Sequence, residues 1–169
     1  MYKEIQKFKQ AWIWVILSLA GLFTLGIFGY EIYEQIILKK KMSSNPTSDT
    51  ELVVIFLFVF AFFLFLIALF AFARLSTILD KSGIQFRFFP FHIRYKQYRW
   101  EEIVRYEIIS FEPLKDYGGW GIRYGKMGKA YTVSGNKGLQ VYLKSGRRFL
   151  LGTQKAEALQ LFLSENIKQ

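Results

Sequence analysis

The sequence predicts a two-helix transmembrane hairpin followed by a mostly-β domain that closes with one α-helix. Three observations carry this prediction. Residues 11–30 and 52–73 contain no Asp, Glu, Lys or Arg and are long enough to cross a bilayer. From Leu79 onward, apolar and polar residues alternate in short runs broken by Gly, Pro and Ser-Gly, the period of antiparallel strands. Near the end, Leu159, Phe162, Leu163 and Ile167 recur at helical spacing. The 169 residues therefore divide into a basic tail (1–10), a first span (11–30), a connector (31–51), a second span (52–73) and one small domain (74–169).

The tail carries Lys3, Lys7 and Lys9 ahead of the first apolar run, so a cleaved signal peptide has to be weighed, with Ser18-Leu19-Ala20 as the cleavage site. Apolarity continues past that point to Phe28, which favours a retained span. Ser18, Gly21, Gly26 and Gly29 fall within an arc of about 140° at 100° per residue, one smooth face for a close helix partner. Trp12, Trp14, Tyr30 and Tyr33 stand near the ends of the span, where amphipathic rings favour the headgroup region.

The connector mixes Lys39, Lys40 and Lys41 with Glu31, Glu34, Asp49 and Glu51, and its second half, residues 43–49, reads as a polar turn-rich loop. The second span is rich in Phe and Leu and has no polar side-chain atom, so no other part of the chain is large enough to bury it all round. Lys and Arg flank the outer ends of the two spans: three Lys in the tail, then Arg74, Lys81 and Arg87. By the positive-inside bias, tail and domain are both expected on the cytoplasmic side of the membrane.

In the domain, Ile84, Phe86 and Phe88 alternate with Gln85 and Arg87, and Phe91, Ile93 and Tyr95 with His92, Arg94 and Lys96. With Phe89-Pro90 as the turn, Phe86 would face Ile93, and Arg87, Arg94 and Lys96 would share one basic face. Further strands are expected near 103–111, 120–125, 129–134, 138–144 and 147–152, about seven in all, the last pair turning at Ser145-Gly146. Thr153 is the expected N-cap of the closing helix.

The stretches PLKDYGGWGIRYGK (113–126), SGNKG (134–138) and GRRFLLGTQKAEAL (146–159) follow in that order. With them, the domain resembles the pleckstrin-homology-like domains of bacterial membrane proteins of unknown function. The resemblance covers residues 74–169. It implies a seven-stranded fold with a C-terminal helix and a binding or assembly role rather than catalysis.

Chemistry is bounded by composition. With no cysteine there are no disulfides or thiolate metal ligands, and His92, the single histidine, cannot build a multi-histidine metal site. The domain's acids sit among Lys and Arg, where solvated pairing is the expected role, so neither a catalytic residue nor a cofactor is assigned. The domain has 17 Lys and Arg against 8 Asp and Glu, a net of +9. Anionic lipid headgroups are the expected partner of that charge beside a bilayer. Nucleic acid is the rival reading, and no nucleic-acid-binding motif supports it. The binding candidates are Trp120, flanked by glycines, with Arg123, Lys126, Lys129 and Lys137 in the same Gly-rich region, and Arg87, Arg94 and Lys96 on the first hairpin. A protein partner or a second copy is the expected ligand of Trp120, whose alternative is a place in the core. The resulting expectation is an interaction or scaffold module at the membrane, with a headgroup sensor or an accessory subunit of a membrane enzyme or transporter as the alternatives.

Overall fold

A computed structural model describes residues 1–40 and 47–167. It divides into two compact units, one of residues 9–71 and one made of residues 1–8 together with 72–169.

The helical unit holds α1 (Ala11–Ile32) and α2 (Asp49–Phe72), both long and apolar enough to cross a membrane. Twenty-four residues of α2 rise about 36 Å at 1.5 Å each, against about 30 Å of hydrocarbon. Leu22, Phe23 and Phe58 are each more than seven-tenths exposed, so these side chains lack the cover of a soluble core helix. Of the four small residues on α1, Gly21 makes the expected close approach: a Cβ there would stand 3.2 Å from the Phe63 ring, whereas Gly26 and Gly29 have open space.

The expected connector is shorter than its composition suggests. A π-helical turn, Tyr33–Ile37, continues α1, and α2 already begins at Asp49. Local bonds offset the polarity of this stretch, with Tyr30 donating to Glu34 Oε1 at 3.2 Å and Lys40 pairing with Glu34 at 3.4 Å. Gln35 Nε2 donates to the Thr47 carbonyl and to Asp49 Oδ1, each at 2.7 Å. Lys41 and residues 43–46 of the expected loop lie outside the described residues.

The other unit is two β-sheets and a C-terminal helix. One sheet has the order β1-β2-β3-β4, from Tyr2–Lys7, Arg74–Leu79, Gly83–Phe89 and Lys96–Arg99. The second has the order β5-β8-β9-β7-β6, from Ile103–Ser110, Lys137–Leu143, Arg148–Thr153, Gly128–Thr132 and Gly121–Gly125. The expected positions of β5 to β9 match within a few residues. A short helix, α3 (Pro113–Tyr117), comes before β6, and α4 (Ala156–Asn166) closes the chain. Aromatic rings join the sheets face to face: Phe86 lies 4.7 Å from Tyr131 and 5.4 Å from Phe149, and Tyr98 lies 4.9 Å from Phe149. Behind the second sheet, Leu150 and Ala130 pack with Phe111 and Tyr117.

Four expectations are corrected here. The segment 1–10 is not a free basic tail, because Tyr2–Lys7 is an edge strand paired with β2 along its whole length. Among the described residues, 74–167 hold eight strands rather than seven, since Arg74–Leu79 begins directly after α2 and its alternation is obscured by the apolar run before it. The first hairpin pairs Phe86 with Lys96, not Ile93, so the return strand starts at Lys96 and residues 90–95 form a loop. Thr153 does not cap α4; Lys155 is its N-cap, and the Thr153 hydroxyl bonds elsewhere.

Candidate functional site

The first sheet brings the tail and the segment after α2 side by side. Lys7, the last residue of β1, pairs with Arg74, the first of β2, and Arg74 pairs in turn with Phe89 at the end of β3. The chain therefore leaves and re-enters the domain at one end of one sheet. Alternation along β1 places Tyr2, Glu4 and Gln6 inward and Lys3, Ile5 and Lys7 outward. Register carries the outward set on to Arg74 and Arg87, and further to Arg99. This outer face collects five cations, and none of its strand residues is acidic. Arg74 lies 5.4 Å over the Phe89 ring and Arg87 4.7 Å over Tyr95, so part of the charge is held by aromatic faces.

Inside, a polar clasp fastens β1 to the second sheet. The buried Glu4 carboxylate accepts from Tyr2 Oη at 2.5 Å, Thr153 Oγ1 at 2.7 Å and the Gln154 backbone N–H at 2.8 Å. Gln6 Nε2 donates to the Gly152 carbonyl at 2.6 Å. Burial, and then the bond to Glu4, push the Tyr2 hydroxyl well above its ordinary pKa. Sequence reasoning missed Glu4 and Gln6 because inward positions carrying polar side chains do not register as a strand face.

Lys96 is directed away from Arg87, contrary to the shared basic face expected of them. Because Lys96 pairs with the inward-facing Phe86, it points between the sheets, where its ammonium donates to Tyr131 Oη at 3.2 Å and lies 5.4 Å from the ring centre. Lys129 approaches the same ring at 5.6 Å and stands 4.7 Å over Tyr124. His92 completes the cluster, its ring 5.5 Å from Tyr131 and 6.4 Å from Phe86. Burial first, then Lys96 and Lys129, lower the His92 pKa, while bonding to Tyr124 leads the rise at Lys129. No family model, curated protein or solved structure matches this chain. The geometry itself carries the functional reading.

The remaining candidates do not converge. Arg123 pairs with Ala130 and so projects from the face opposite Lys129. Lys126 lies in the β6–β7 turn, its carbonyl accepting from Arg148 at 2.7 Å, and Lys137 opens β8 at the other end of the sheet. The basic candidates of the Gly-rich region are thus spread over two faces and two ends of the sheet. Trp120 is half-buried, outside the core, and its indole N–H donates to the Gly135 carbonyl at 2.9 Å. The glycines before it close α3: Gly118, at φ 69°, donates to Leu114, and Gly119 donates to Pro113. Among the described residues, no group of three His, Asp or Glu forms a metal-binding cluster. A groove of about 800 Å³ runs between β5 and α4, lined among others by Tyr106, Ile108, Lys137, Gln160 and Leu163.

Proposed function

We propose that this chain is an integral membrane protein of the inner membrane, presenting a cytoplasmic pleckstrin-homology-like domain as a protein-interaction or scaffold module. One observation carries the reading: two long apolar helices are inserted between β1 and β2, adjacent strands of a single sheet. Strands that pair must lie on one side of a bilayer, so helices between them cross it an even number of times. The lysines of β1 and Arg74 then flank the spans on the side of the domain, as the positive-inside bias requires. Two sheets closed by a C-terminal helix support the likeness to pleckstrin-homology-like domains, with β1 and one further strand beyond the expected seven. The groove beside α4 and the half-buried Trp120 are surfaces a protein partner can use.

The five-cation outer face favours a second reading, a module that senses anionic headgroups. Chemical crosslinking of the tagged full-length chain in its own membrane, followed by co-purification, separates the two. A scaffold yields a stoichiometric protein partner or a defined homo-oligomer, and Trp120→Ala weakens its recovery without unfolding the domain. Recovery of an uncrosslinked monomer contradicts the scaffold reading and leaves the lipid module.

A further inference from the structure

We infer that residues 90–95, between β3 and β4, are a second membrane contact that seats its apolar tip in the lipid interface. The observation behind this is an exposure that a soluble hairpin would avoid. Ile93 is 80% exposed and Phe91 62%, with Tyr95 also exposed, in a loop of six residues. Its base is rigid: the His92 N–H donates to the Phe88 carbonyl at 2.7 Å, and the His92 ring turns inward to Phe86 and Tyr131. Phe88, buried against Phe8, makes a ring contact with Phe91 at 6.1 Å. The apolar tip is thus held outward by an anchored frame and is not a collapsed turn.

Connectivity identifies the occupant as a bilayer. The loop leaves β3 at Phe89, which pairs with Arg74, and only Ala73 separates Arg74 from the last residue of α2. Arg74 also pairs with Lys7, the last strand residue before α1. The apolar tip therefore rises from the sheet end through which the chain passes to its two apolar helices. Charge agrees. Residues 83–100 contain no acid, Arg94 is exposed in the loop, and Arg87 braces it, its guanidinium donating to the Ile93 carbonyl at 3.5 Å and lying over Tyr95. An aromatic and aliphatic tip ringed by Arg and Tyr matches the lipid interface, where apolar atoms enter the acyl boundary and cations meet phosphates. The inference rests on the proposed reading of α1 and α2 as spans.

The cysteine-free chain makes the test direct. Full-length Ile93→Cys, Phe23→Cys and Lys144→Cys variants each carry an environment-sensitive fluorophore in phosphatidylcholine–phosphatidylglycerol vesicles containing spin-labelled lipid. Ile93 makes little packing, so its replacement leaves the fold intact. The inference expects the Ile93 probe to be blue-shifted and quenched more by a shallow spin label than by a deep one, with Phe23 quenched by the deep label and Lys144 by neither. An unquenched Ile93 probe beside a quenched Phe23 probe overturns the loop contact and leaves the spans standing. Loss of quenching at both overturns the spanning reading and the loop contact with it. An Ile93 probe shielded from aqueous iodide yet untouched by either spin label means protein covers the loop, and also overturns the inference.

Discussion

Replacing Glu4 by Ala should destabilise the domain more than any other substitution of a charged residue in β1. The carboxylate is 4% exposed and accepts three hydrogen bonds, from Tyr2, Thr153 and the Gln154 amide. Its loss is partly offset, because the Tyr2 and Thr153 hydroxyls, 3.3 Å apart, can bond each other and Gln154 is exposed to water. A net loss of one to two hydrogen bonds to a charged group, at about 1.5–3 kcal/mol each, sets the cost, reduced by relief of the carboxylate's desolvation. The balance is about 3 kcal/mol, which for a domain near 100 residues is a fall in Tm of roughly 10–20 °C. Lys3→Ala and Ile5→Ala, on the outward face of the same strand, should stay within about 0.5 kcal/mol. Thermal melting of the full-length chain in detergent micelles, followed by near-ultraviolet circular dichroism, reads all three. Equal melting of Glu4→Ala and Lys3→Ala would refute an inward-facing β1.

Gly83→Ala should cost about 2–4 kcal/mol, because the residue has φ 154° and a Cβ would stand 2.1 Å from the Tyr98 carbonyl oxygen, breaking the β3–β4 pair; chemical denaturation measures it. Acidification should weaken the domain through His92. Its folded pKa lies below the ordinary 6.5, so the unfolded chain binds the proton more readily; the stability present above about pH 6.5 is lost as pH falls through the folded pKa. Melting curves across that window should flatten in His92→Gln, and an unchanged pH slope would count against the packing on Phe86 and Tyr131. Arg94→Ala should weaken vesicle binding of the loop, whereas Lys96→Ala, whose ammonium is engaged by Tyr131, should chiefly lower Tm; flotation and melting together separate these effects.

Where apolar periodicity alone determines structure, the sequence was legible. The two long apolar helices, β5 to β9 and α4 follow from runs and alternations of apolar residues in the sequence. The tail was not, because Tyr2, Glu4 and Gln6 fill the inward face and Lys3 and Lys7 the outward one, so polarity falls on both sides; pairing with the distant β2 makes it a strand, and Thr153 and Gly152 satisfy its inward polar side chains. The register of the first hairpin was lost for a related reason. Phe91, Ile93 and Tyr95 alternate as a strand would, yet the bonds between Phe88 and His92 close a turn that moves the return strand on to Lys96. The basic candidates were named by composition, and sheet parity then divided them: Arg87 on the outer face, Lys96 and Lys129 around Tyr131, and Arg123, Lys126 and Lys137 apart. Parity depends on register, which charge and composition do not encode.

β1 and β2 are neighbours in one sheet although two apolar helices separate them in sequence. Lys3 and Ile78 are directly paired across these strands, whereas Gln85 lies one strand further away. The most direct measurement is disulfide formation in native membranes by the full-length double variant Lys3→Cys with Ile78→Cys under mild oxidant. Cα atoms of an antiparallel pair lie about 4.5–5.5 Å apart, within reach of an S–S bond and on the same side of any bilayer. Rapid closure of that pair, with no closure of Lys3→Cys with Gln85→Cys, is the predicted result; free thiols at both positions 3 and 78 after oxidation, each still reactive to maleimide, would contradict it.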